Sequence, residues 1–132
     1  VTEARDIYGT VFKHGTAVLL ARVVDETGEP ISQHDIALAN YTVYLLDESD
    51  PDQAQPVAGH HDRSVAVAQL IYNSLQRDSF WDLDELGYNF RHVLDVSVQP
   101  AFPKAGRSYR VVFRLIPTGG QVILVRFRLY AI

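Results

Sequence analysis

His60, His61 and Asp62 are the consecutive residues whose types could begin a metal site. Adjacent residues of an extended segment point to opposite sides, so the two imidazoles are poorly placed to chelate one ion together. His14, His34 and His92 are scattered along the chain and supply no defined third ligand. Asp47, Asp50 and Asp52 share one loop, but their spacing and the intervening Pro51 do not match a Ca²⁺ loop with alternating ligands around a required Gly. Asp82 and Asp84 lack the distant bidentate Glu that such a loop needs. These carboxylates read as solvated loop charge, and no metal or cofactor is expected.

Nucleophilic and phosphate chemistry are equally thin. No G-x-S-x-G elbow and no H-E-x-x-H helix occurs. Gly119-Gly120 reads as a hairpin turn and Gly87 precedes a strand, so neither opens a helix that could hold pyrophosphate. No catalytic residue is assigned, and the chain reads as a non-enzyme. One aromatic cluster offers binding chemistry instead: Phe80, Trp81 and Tyr88, near Asp82, Asp84 and Glu85, could stack on a sugar ring and accept its hydroxyls. The competing expectation is that Trp81 caps one end of the core with its ring buried.

The elements that must position these groups are clearest between Tyr109 and Ile132. Tyr109, Val111, Phe113 and Leu115 alternate on one face of a first arm, and Ile123, Val125, Phe127 and Leu129 alternate on the matching face of a second. Pro117-Thr118-Gly119-Gly120 supplies the reversal between them. This predicts a β-hairpin with Arg110, Arg114, Arg126 and Arg128 on its other face, interleaved with Val112 and Leu124. Those four arginines are the candidate partner-binding face.

Charge is segregated along the chain. Residues 1–95 carry 6 basic and 16 acidic side chains, a balance of -10, whereas residues 96–132 carry six basic ones and no acid, giving the net -4. The arginines could pair with acids of neighbouring strands, or solvate an outer face. Alternatively their planar forks could dock an acidic partner, a second subunit or a phosphate backbone. Nucleic acid is disfavoured, because the chain is acidic overall and the arginines alternate with aliphatic residues, not with stacking aromatics.

Thr16 to Val24 is a short apolar run expected to form an internal strand. Tyr41 to Leu46 is another strand, followed by a charged loop in which Pro51 and Pro56 exclude a central strand. Ser64 to Leu75 predicts a short strand and then a helical turn or two near 68–76, because Val67, Ile71 and Leu75 recur at helical spacing. Tyr88, Phe90, His92, Leu94, Val96 and Val98 alternate as one more strand. About six to eight strands with one short helix favour an all-β antiparallel sandwich. A length of 132 residues fits one domain spanning 1–132, Cys 0 excludes disulfides, and no apolar run is long enough to span a bilayer, so a soluble chain is expected.

The run Gly15 to Asp25, the segment Tyr41-Thr42-Val43-Tyr44, and Gly87-Tyr88-Asn89-Phe90 leading to Tyr109-Arg110-Val111-Val112-Phe113 resemble small immunoglobulin-like β-sandwich proteins of phage and prophage virions. The amino-terminal domains of upper baseplate proteins are among these. The resemblance rests on strand order and turn placement, and carries over no site residue. It implies an immunoglobulin-like sandwich serving as a structural or interaction module in a virion or tail-associated assembly, with a protein partner or self-association. A carbohydrate-binding module is the alternative.

Overall fold

A computed structural model describes residues 6–11, 15–25, 27–46, 49, 53–78, 81, 85–97 and 99–132. The strands among the described residues are β1 (Asp6–Val11), β2 (Val18–Ala21), β3 (Ile36–Leu46), β4 (Ala54–Pro56), β5 (Arg63–Val65), β6 (Ile71–Gln76), β7 (Tyr88–Val93), β8 (Ser108–Pro117) and β9 (Ile123–Ala131), with a 3-10 turn at Gln33–Asp35 and one α-helical turn, α1 (Val67–Leu70). One sheet runs β1-β9-β8-β3-β4, with β5 also paired to β3; the other runs β2-β7-β6.

The β8–β9 hairpin forms as its periodicity predicts, in register from Ser108 opposite Tyr130 to Leu115 opposite Ile123. Tyr109, Val111, Phe113, Leu115, Val125, Phe127 and Leu129 are buried, and Ile123 is half-buried. β3 lies antiparallel along the other side of β8, with Tyr41 opposite Phe113. Phe90 of β7 meets Phe113 edge-on at 4.9 Å between ring centroids, and Phe113 meets Phe127 edge-on at 6.0 Å. Such pairs add about 0.5–1.5 kcal/mol each beyond burial, so this aromatic knot clamps the two sheets together.

The order β4-β3-β8-β9 facing β2-β7-β6 is the C′-C-F-G over B-E-D arrangement of a variable-type immunoglobulin sandwich. A tyrosine corner reinforces the match. Tyr109, near the start of β8, accepts a hydrogen bond from the Lys104 backbone N–H at 2.9 Å and packs edge-on against Phe102.

Three expectations need correction, and one strand has no counterpart in the sequence pattern; the strand expected to run from Tyr88 past Val96 ends at Val93. The apolar run around β2 forms an edge strand, not an internal one: among the described residues only β7 pairs with it, and Val18 is exposed. Its apolar character comes from Leu19 and Ala21, which face the core. The helical segment is confined to 67–70, and 71–76 is strand β6. Leu70 and Ile71 are both buried because the backbone changes period between them, which mimics helical spacing. Finally, β1 was not foreseen; it pairs with β9 in parallel, so β9 is not the edge of its sheet. Pro56 does lie on a short strand off the centre of the sheet, where its missing N–H breaks no central ladder.

Candidate functional site

The ladder fixes the outer face of the large sheet in rows. Tyr44, Arg110 and Arg128 form one row across β3, β8 and β9; Thr42, Val112 and Arg126 form the next; Asn40, Arg114 and Leu124 form the third. Leu38 stands opposite Ile116 beyond them. All four sequence-predicted arginines are therefore brought together on one face by the same two strands that bury Phe113 and Phe127. The outward positions of β3, β8 and β9 carry no Asp or Glu, but the neighbouring β1 sets Asp6 opposite Arg126 in the ladder and the Asp62 carboxylate lies 3.4 Å from the Thr42 hydroxyl.

Arg110 lies directly opposite Arg128, an arrangement of like charges that costs a few tenths of a kcal/mol or more in a ladder. Arg110 and Arg126 are half-buried and engage other groups of the chain. Arg114 is exposed and Arg128 half-buried, and among the described residues neither forms an ion pair. Apolar side chains remain open beside them: Leu38 is 63% exposed, Leu124 43% and Tyr130 46%. Tyr44, Ala54, Arg110, Val112, Leu124 and Arg126 line a shallow recess of about 270 Å³. Chemically, this face offers guanidinium forks around an aliphatic floor, suited to carboxylates and a hydrophobic anchor.

Of the candidate ligand loop, Trp81, Glu85 and Tyr88 lie among the described residues. Tyr88 is buried, its hydroxyl donating to Asp78 Oδ2 at 2.6 Å, and it contacts Tyr72 and the half-buried Trp81. The hydrogen bond to Asp78, with burial second, pushes the Tyr88 hydroxyl up to about 12. Tyr88 is thus a packing residue, and its ring is not presented to a ligand. Phe80, Asp82 and Asp84 lie outside the described residues, as do Asp47, Asp50 and Asp52.

His60 and His61 diverge, although the backbone here is a turn and bend with a left-handed Asp62 at φ +49°, not an extended strand. His60 is buried, with Nε2 donating to the Gln99 carbonyl at 2.8 Å and Nδ1 accepting from the Tyr41 hydroxyl at 2.8 Å. The carbonyl can only accept, which fixes the tautomer. His61 is exposed and sits 3.0 Å from Asp62. Among the described residues, no group of three His, Asp or Glu side chains is placed to hold a metal ion.

The sequence marks His92 only as an alternating strand residue and a scattered imidazole; in the fold it faces the core between Tyr41 and Phe113. Its Nε2 is buried with no hydrogen-bond partner, and burial holds the ring down to about 4 from 6.5. The unfolded chain therefore binds a proton that the folded chain refuses between these values. Stability from this group is complete above pH 6.5 and is lost as pH falls toward 4, with a limiting slope of about 1.4 kcal/mol per pH unit. Because the ring keeps some exposure, we expect a total loss of about 1–2 kcal/mol. Urea titrations at pH 7 and pH 4.5 should show that loss, and His92→Phe should remove most of it. Asp25, Asp35 and Asp95 are lowered chiefly by hydrogen bonds from Thr27, Ser32 and Ser97, so their contributions fade only below the ordinary carboxylate range.

The fold and its outer face define an all-β sandwich of two sheets with a cationic, partly apolar sheet surface. No protein-family model matches the chain, and no curated protein or solved structure is significantly similar to it. No helix among the described residues is long and apolar enough to cross a membrane.

Proposed function

We propose that this chain is a non-enzymatic interaction module of a larger assembly, docking an acidic protein partner through the outer face of β3, β8 and β9. The observation that carries the reading is the outward register of those strands, which holds four arginines and open aliphatic side chains, with the acidic residues Asp6 on β1 and Asp62 beside Thr42 at the margins of the Arg126 row. The opposition of Arg110 and Arg128 across the ladder and the open Leu38 and Leu124 nearby favour a partner that brings negative charge and an apolar group. The sequence resemblance to virion sandwich proteins supports the assembly setting, with a phage-type virion or tail-associated component as its concrete form. Tyr88 inside the packing takes one ring out of the carbohydrate alternative, which then rests on Phe80 and Trp81.

The test exploits a protein of net charge -4. At neutral pH and low salt it should nevertheless be retained on a carboxylate exchanger through this face, and should elute as salt screens the contact. The double variant Arg114→Glu/Arg128→Glu should flow through while keeping its thermal midpoint within about 5 °C. Flow-through of the unmodified protein, or equal retention of the variant, overturns the reading. Light scattering across the same salt series reads self-association: a mass that falls with rising salt identifies a second copy as the partner.

A further inference from the structure

The recess at the centre of the cationic face has a geometry that specifies more than net charge, and the following rests on the docking role proposed above. Val112 and Leu124 provide apolar surface, Arg110 and Arg126 stand at its sides, and Tyr44 closes the rim toward β3. Arg114 and Arg128 flank it diagonally: they lie two rows apart on adjacent strands, since Arg110 pairs with Arg128 and Arg114 with Leu124. With about 6.7 Å per two residues along a strand and 4.8 Å between strands, their backbones are about 14 Å apart. The midpoint of that diagonal falls between Val112 and Arg126, over the recess.

An extended peptide rises about 3.3 Å per residue and turns alternate side chains to the same side. Residues i and i+4 of a strand are therefore about 13 Å apart and share one face with residue i+2. We propose that the recess anchors an extended segment of a partner protein with the pattern acidic-x-large apolar-x-acidic. The two carboxylates meet Arg114 and Arg128, and the central side chain enters the recess over Val112 and Leu124. This places an apolar anchor at the centre and charge at the rim, the distribution that concentrates binding energy in protein interfaces.

Two other occupants fit less well. A second copy meeting this face with its own equivalent face would bring eight arginines together, which like-charge repulsion opposes. The chain does contain the pattern at Asp78-Ser79-Phe80-Trp81-Asp82. There, however, the Trp81 N–H bonds back to the Asp78 carbonyl at 3.2 Å and the Tyr88 hydroxyl holds the Asp78 carboxylate, so the first acid of the pattern is already engaged within its own chain. Nucleic acid lacks the central apolar anchor and would find no aromatic stack among the arginine rows.

Fluorescence anisotropy with labelled nine-residue peptides tests the proposal. The probe carries Glu at its third and seventh positions and Phe at its fifth, in a Ser/Thr background. Three controls replace Phe by Ala, replace both Glu by Lys, or move the Glu residues to the fourth and sixth positions. The probe should bind at low salt, and each control should bind at least about tenfold more weakly. Arg114→Glu and, separately, Leu124→Ser should each weaken the probe by about tenfold or more; both positions are exposed, so the fold persists. No binding at about 1 mM probe, or equal binding of the Ala or shifted-spacing peptide, overturns the anchored-strand geometry. Should that happen while the carboxylate-exchanger result holds, the face still docks acids but the partner assigned to it is wrong. Tighter binding of a twelve-residue oligo-dT than of the probe overturns the protein-partner assignment, as does salt-sensitive self-association that the probe cannot compete.

Discussion

Replacing Asn89 with alanine should lower the unfolding free energy by about 3 kcal/mol, a large share of a domain's usual margin. Asn89 is fully buried on β7, and its side chain spends both ends on the backbone of a distant segment. Oδ1 accepts from the Val23 N–H at 2.7 Å, while Nδ2 donates to the Val23 carbonyl at 2.9 Å and to the Ile31 carbonyl at 3.2 Å. The β2–β7 ladder ends at Ala21, so Asn89 continues it by side chain where the backbones part. It also ties Val23 to Ile31, the two arms of the reversal closed by the Val24–Pro30 bridge. Alanine strands a buried N–H, which costs about 1–3 kcal/mol by itself, and removes two donated bonds. Asn89→Asp should be worse at neutral pH, because a carboxylate would then face two carbonyl oxygens. Urea unfolding followed by tryptophan fluorescence gives the comparison, with the expected order wild type, then Ala, then Asp. An alanine variant within about 1 kcal/mol of wild type would show that this tie is not what holds the 23–31 reversal.

The contrast between Asn89 and the arginines explains what the sequence could reveal. Arg110, Arg114, Arg126 and Arg128 were assigned to one face from two-residue periodicity alone, because their partners in the ladder are close in sequence across a short turn. The same rule placed Phe113 and Phe127 inside. Periodicity reports which face a side chain takes, but it is silent about which strand lies alongside. Hence β2 was read as internal although it lies at an edge, and the parallel β1 on β9 left no readable signal. Asn89 and Val23 are 66 positions apart, and nothing local marks an Asn whose partner is a distant backbone. His92 lay on the inward side of its alternating strand, yet a polar imidazole at that position argued for nothing until Tyr41 and Phe113 were seen to enclose it. The recess escaped notice for the same reason. Its arginines were legible, but Tyr44 and Ala54 reach it from β3 and β4 through pairings that no local pattern announces.

Gly87→Ala should destabilise the protein by about 3 kcal/mol or more, whereas Gly28→Ala should cost only about 1 kcal/mol. Both glycines have a left-handed backbone, with φ of +98° at Gly87 and +87° at Gly28. A side chain at either position meets the same intrinsic penalty of about 1–2 kcal/mol. Their surroundings separate them. At Gly28 a Cβ would meet nothing within 4 Å, while at Gly87 it would sit 2.2 Å from the Gln76 carbonyl oxygen. Gln76 is the last residue of β6 and pairs with Tyr88, so the clash falls on backbone that cannot rotate aside without opening the β6–β7 pairing. Opening it would also disturb the Tyr88 hydroxyl on Asp78 and the contact between Tyr88 and Trp81. Gly87→Ala should therefore change Trp81 fluorescence in the folded state, and Gly28→Ala should not. The cationic face lies on the other sheet, so peptide binding by folded Gly87→Ala should match wild type under conditions where the variant remains native. Equal destabilisation by the two substitutions would mean that backbone conformation alone sets the cost and that the approach of Gln76 to Gly87 is looser than 2.2 Å implies.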